Sequence, residues 1–105
     1  MKKGSIILLP FPFSDLKGSK IRPAVVLYKN ELDVTICFIT SELKWKTKHD
    51  VALLPSHDNG LKVASLIRIG KIATIDADLV LGELGKLNDV EIAKMNNGLK
   101  DLLQL

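Results

Sequence analysis

Apolar residues come in short runs separated by polar turns over most of the chain: Ser5 to Leu9, Pro23 to Tyr28, Val34 to Thr40, Asp50 to Leu54, and Leu66 to Ile69 extending toward Ile75. Runs of this length, rich in Val, Ile and Leu, read as β-strands. The run behind Pro23 is apolar at successive positions, which predicts burial on both faces. Pro23 can open it because a strand's first residue needs no ladder donor. Lys29-Asn30-Glu31-Leu32-Asp33 is polar enough to turn the chain into the next strand and make a hairpin. The period then changes. Ile92, Met95, Leu99, Leu102 and Leu103 recur at helical spacing, with Asn88 as N-cap and Glu91 as its capping-box partner. Gly98 costs this helix roughly 1 kcal/mol against alanine, so packing rather than propensity must hold it. The pattern predicts a mainly β (α+β) fold, a small barrel of about five to seven strands closed by a C-terminal amphipathic helix.

With 105 residues, 47% of them hydrophobic, the chain suits one globular domain over residues 1–105. Its surface-to-volume ratio favours an oligomer. The single cysteine, Cys37, lies in an apolar run, where it reads as a small buried hydrophobe and leaves no partner for an intramolecular disulfide. Met1-Lys2-Lys3 before Ile6-Ile7-Leu8-Leu9 imitates a signal peptide, but the apolar run stops at Pro10. No segment approaches the ~20 apolar residues of a membrane span. The expectation is a cytoplasmic protein that does not enter a membrane.

Fifteen Lys and Arg against 12 Asp and Glu leave a formal charge of +3, compatible with an anionic partner without demanding one. Lys2, Lys3, Lys17, Lys20 and Arg22 load the start of the chain, and Lys44, Lys46, Lys48 and His49 surround Trp45. Arg22 stands at the mouth of a strongly apolar run. Its planar, always-charged fork suits a phosphate better than a buried structural place, although capping a barrel edge is the plainer alternative. Thr40 and Ser41 should emerge at a strand end, where hydroxyls either hold a phosphate oxygen or simply turn the chain.

In extended form, Lys44-Trp45-Lys46-Thr47-Lys48 would place its lysines on one side. Trp45 on the other would stack on a base, worth roughly 1–3 kcal/mol, or anchor packing. Phe11 and Phe13 read as packing residues of the loop from Pro10 to Ile21, and its length in so small a domain points to function. His57 reads as a turn residue, His49 as part of a mobile basic loop, and Asp76 and Asp78 as turn residues or a helix start. One cysteine and two separated histidines offer no zinc spacing, and no phosphate-loop or dinucleotide glycine pattern occurs. The chain is expected to use no cofactor.

An early glycine, Pro10-Phe11-Pro12-Phe13-Ser14-Asp15, Arg22-Pro23-Ala24-Val25-Val26-Leu27, Ile39-Thr40-Ser41 and Thr74-Ile75-Asp76 follow one another in order. In that order they resemble the MazF/PemK family of toxin endoribonucleases. The resemblance implies an SH3-like barrel, a homodimer and a cognate antitoxin. It also implies metal-independent, sequence-specific cleavage of single-stranded RNA, with ends carrying a 2′,3′-cyclic phosphate and a 5′-hydroxyl. Arg22 and Thr40 become the catalytic candidates, and Lys17, Ser19, Lys20, Ser41, Lys44 and Arg68 the RNA-binding ones. Two positions depart from the family's pattern. Gly70 stands where some members carry an acidic residue two places after an arginine, and Ser5 where many carry aspartate. A weak or inactive relative that binds RNA, an antitoxin or a topoisomerase subunit is therefore the competing expectation.

Overall fold

The computed structural model describes residues 1–11 and 20–105. Among these, six strands form one antiparallel sheet: β1 (Ser5–Phe11), β2 (Lys20–Lys29), β3 (Asp33–Thr40), β4 (Val51–Leu53), β5 (Ser65–Asp76) and β6 (Gly82–Lys86), in the order β4-β5-β3-β2-β1-β6. The sheet curls into a half-barrel with a C-terminal helix, as the sequence pattern leads one to expect. The hairpin between β2 and β3 turns on Asn30, whose Oδ1 accepts hydrogen bonds from the backbone N–H groups of Leu32 and Asp33 at 2.9 and 2.7 Å.

Successive apolar residues go to opposite faces of the central strands, which explains runs that do not alternate with polar residues. Ile6, Val25, Cys37, Ile39, Ile67 and Ile69 pack on one side with Val51, Leu53 and Met95. Ile7, Leu9, Ala24, Val26, Val34, Ile36 and Ile75 pack on the other, under Ala77, Leu79 and Val80. Pro23 does not open its strand. It sits opposite Leu8 in a part of β2 that pairs with β1 alone, since the β2–β3 ladder starts at Ala24, and there a missing N–H is tolerated.

The outer strands β4 and β6 do not pair with each other. The turn after β4 bridges the gap: Lys86 N donates to Asp58 O at 2.9 Å. Buried Asn59 fixes this turn, accepting through Oδ1 from the N–H groups of Ser56 and Leu61 and donating through Nδ2 to Leu54 O. A Cβ at Gly60 would lie 2.5 Å from Leu84 O, so only glycine lets the turn touch β6 this closely.

The helix α1 (Asp89–Leu103) begins with the capping box read from the sequence. Asn88 Oδ1 accepts from Glu91 N at 2.8 Å, and Asn88 N donates to Glu91 Oε1 at 2.9 Å. Its apolar stripe buries Met95 fully against the sheet. Gly98 has a packing reason: a Cβ there would stand 2.8 Å from His49 O and 3.3 Å from Ile69 Cγ1. Gly98→Ala is accordingly expected to lower the urea midpoint, because overpacking against a carbonyl outweighs the roughly 1 kcal/mol of helix propensity gained. A raised midpoint would show that the helix sits more loosely on the sheet.

Candidate active site

Antiparallel pairing brings together residues that are far apart in sequence. Arg22 on β2 faces Leu9 of β1, Thr40 ends β3 opposite Leu66, and Arg68 on β5 pairs with Phe38. Their side chains line a cleft of about 780 Å³ that also receives Ser41, Glu42, Lys62 and Lys71. Phe11 and Phe38 contribute to its apolar wall in an edge-to-face pair, with ring centroids 5.4 Å apart. Among the described residues the cleft therefore joins an apolar surface to four cations and one carboxylate.

The two arginines are held differently. Arg22 is exposed, and among the described residues no carboxylate pairs with it. Its fork is available to an anion. Arg68 Nε lies 3.7 Å from Asp50 Oδ2, a carboxylate only 1% exposed. Asp50 also accepts from Thr47 N at 2.9 Å and Ile69 N at 3.0 Å, so one acid joins the chain before β4, a bulge in β5 and an arginine of the cleft.

That bulge decides which side chains reach the cleft. At the step from Cys37 to Phe38 the partner on β5 jumps from Ile72 to Arg68, leaving Ile69, Gly70 and Lys71 outside the ladder. A regular strand would set Gly70 beside Arg68; here Lys71 joins the lining and Gly70 does not.

Thr40 Oγ1 accepts from Glu42 N at 3.1 Å, which turns the chain at the strand end and leaves the hydroxyl proton for a ligand. Of the two roles read from the sequence, the structure shows the turning one, and it is compatible with the other.

Over residues 2–103 the sequence matches a family described as PemK-like, MazF-like toxin of type II toxin-antitoxin system. The chain belongs to this toxin family. No curated protein matches it. The fold is similar to that of the Mycobacterium tuberculosis toxin MazF-mt6, with a TM-score of 0.79 and 18% identity, covering 96% of this chain and 97% of that one. It is similar to MazF from Deinococcus radiodurans, with a TM-score of 0.76 and 22% identity over 100% of this chain and 97% of that one. A third likeness is to an endoribonuclease in complex with its cognate antitoxin from Mycobacterial species, with a TM-score of 0.77 and 18% identity over 100% and 96%.

Not every candidate of this toxin reaches the cleft. Arg22, Thr40, Ser41 and Arg68 do. Lys20 is exposed at the start of β2, away from the lining. Lys44 belongs to a short 3₁₀ turn (Leu43–Trp45) rather than an extended segment, and its Nζ stands 5.3 Å from the centre of the exposed Trp45 ring. The alternation expected of the lysines around Trp45 is thereby lost. Lys17, Ser19 and Phe13 lie outside the described residues. Glu42, Lys62, Lys71 and Asp50 were not among the residues singled out for the site.

Both histidines sit apart from the cleft. His49 is tied to the helix by a 2.7 Å bond between Nε2 and Asp101 Oδ2, and exposed His57 lies 3.8 Å from Asp58. Among the described residues no helix is long and apolar enough to cross a membrane, and no three His, Cys, Asp or Glu side chains gather as a metal site needs.

Cys37 is fully buried, its thiol donating to Ile69 O at 3.7 Å. Burial, with the Asp50 carboxylate adding to it, pushes the thiol from 9.0 up to about 12. Iodoacetamide at pH 8 should leave Cys37 unmodified until denaturant is added; rapid labelling of the folded toxin would contradict this burial. The folded thiol keeps its proton where the unfolded one releases it. Cys37 thus contributes no pH dependence below about 9, and lowers stability as pH rises from there toward 12.

Proposed function

We propose that this toxin is an endoribonuclease that cuts single-stranded RNA, mRNA above all, without a metal. The observation that carries the reading is an exposed Arg22 guanidinium, with no carboxylate partner among the described residues, in the same cleft as the Thr40 hydroxyl. RNA carries its own nucleophile, so a protein need only position the 2′-hydroxyl and stabilise the phosphorane that forms. The 2′-oxygen bonds to the adjacent phosphorus, the bond from phosphorus to the 5′-oxygen breaks, and the products end in a 2′,3′-cyclic phosphate and a 5′-hydroxyl.

In this reading Arg22 takes the non-bridging oxygens in a bidentate grip, and Thr40 donates its hydroxyl to the same group. Ser41, Arg68, Lys62 and Lys71 hold the flanking backbone. Phe38 and Phe11 offer an apolar surface to a base. Lys17, Ser19, Lys20 and Lys44 remain backbone-binding candidates outside the cleft's lining. The toxin acts in the cytoplasm as a homodimer, and a cognate antitoxin neutralises it by laying an acidic segment along the basic cleft. The solved complex of a similar endoribonuclease with its antitoxin supports such a partner.

The test is incubation of the purified toxin with long single-stranded RNA in excess EDTA, followed by mapping of fragment ends. Cuts at a recurring sequence with 5′-hydroxyl ends are expected. Intact RNA across varied sequences would instead favour a binding module, the reading that Gly70 at an acid position supports.

A further inference from the structure

We infer that Glu42 is the general base of the cleft. The inference rests on the ribonuclease reading and deepens it. Transfer of the 2′-hydroxyl proton needs an acceptor, and guanidinium and ammonium groups offer donors only. Among the described residues lining the cleft, Glu42 is the one carboxylate, and no histidine or cysteine is present. The charged groups that share the lining with it are Arg22 from β2, Arg68 and Lys71 from β5, and Lys62 from the turn before β5.

Two further observations point to the same side chain. Glu42 follows the two hydroxyl residues directly, and its own N–H is anchored by Thr40 Oγ1 at 3.1 Å, which fixes the carboxylate's origin beside the proposed phosphate site. The carboxylate is exposed and engaged in no hydrogen bond or ion pair among the described residues, so it is free to meet a substrate. Asp50, the acid among the described residues that pairs with a cleft arginine, is excluded. Its oxygens are 1% exposed and already taken by Thr47 N, Ile69 N and Arg68.

The step balances without a cofactor. Glu42 takes the proton of the attacking 2′-hydroxyl as the oxygen–phosphorus bond forms. The departing 5′-oxygen takes that proton back from Glu42, which restores the carboxylate directly, or takes one from water, whose hydroxide then removes the proton from Glu42. No oxidant or second reactant is consumed.

A carboxylate in a groove for a polyanion opposes binding, and this separates the proposal from a surface role. Glu42→Gln should bind RNA as well as or better than the unaltered toxin, while kcat falls by at least about 100-fold. The acidic limb of its kcat–pH profile should also disappear. Glu42→Asp should keep that limb at a reduced rate. The experiment is single-turnover cleavage of one oligoribonucleotide in EDTA by the toxin and both variants across pH, with circular dichroism to show that each is folded.

Glu42→Gln cleaving at or above the original rate would overturn the inference and leave the ribonuclease reading standing. So would a changed cleavage sequence at undiminished kcat, which would make Glu42 a reader of bases. No cleavage by the unaltered toxin would sink the ribonuclease reading and the general base with it.

Discussion

Arg22→Ala is expected to lower the rate of the proposed RNA cleavage by about 10²–10³-fold, the loss found when a group that stabilises transition-state charge is removed. The size follows from the site. Arg22 is the cleft arginine whose fork has no carboxylate among the described residues, whereas Arg68 leans on Asp50. In the proposed reaction its charge would therefore be available to the phosphorane, which carries one more negative charge than the phosphodiester it forms from. The same exposure predicts little effect on folding: an exposed side chain with no ion-pair partner among the described residues should change stability by no more than about 0.5 kcal/mol when truncated. Arg22→Lys is the sharper variant, since it keeps the charge and loses the planar pair of donors. Cleavage well below the original at undiminished RNA affinity would assign the arginine's value to geometry. Full activity in Arg22→Lys would assign its value to charge alone, and full activity in Arg22→Ala would remove Arg22 from the chemistry.

Asp50→Ala is expected to produce the largest loss of stability, about 3 kcal/mol or more. Truncation strands two backbone donors at once, Thr47 N and the buried Ile69 N, each worth about 1–3 kcal/mol when left unsatisfied. It also frees Arg68, which is 23% exposed and regains part of its hydration, so the ion pair adds less than a fully buried one. Against a total stability of about 5–15 kcal/mol for a domain of this size, the change is severe. Activity should fall further than stability alone explains, because the bulge that sets Arg68 and Lys71 in the cleft is hung on this carboxylate. Asp50→Asn keeps an acceptor for one donor and should lose roughly half as much. A urea midpoint unmoved by Asp50→Ala would mean that water replaces the carboxylate without cost.

What could be read from the sequence was what local chemistry encodes. The runs around Ile6, Val25, Cys37 and Ile67 are long and apolar enough to declare strands, and Asn88 with Glu91 declares the helix start three residues apart. β6 was illegible because Gly82-Glu83-Leu84-Gly85-Lys86 contains two glycines and two charges; it is a strand because β1 pairs with it. Arg22 could be named because it stands at the mouth of an apolar run, and Thr40 because the family resemblance favours a site role over a plain turn, although their shared cleft depends on sheet order. Lys71 was hidden by the bulge, since strict alternation assigns Arg68's face to Gly70. Asp50 reads as the polar first residue of a strand, and nothing near it in sequence announces Ile69 or Arg68. The lysines around Trp45 misled for the converse reason: alternation was applied to a segment that coils into a 3₁₀ turn.

The central claim is that the cleft around Arg22 and Thr40 cuts RNA through the substrate's own 2′-hydroxyl. Its most direct test is cleavage, in excess EDTA, of two oligonucleotides identical except for one 2′-deoxy nucleotide immediately 5′ of the mapped scissile phosphate. The all-RNA strand should be cut at that bond. The single-deoxy strand should bind equally well and stay intact there. Cleavage of both at the same rate would contradict the account, because the nucleophile would then come from outside the substrate.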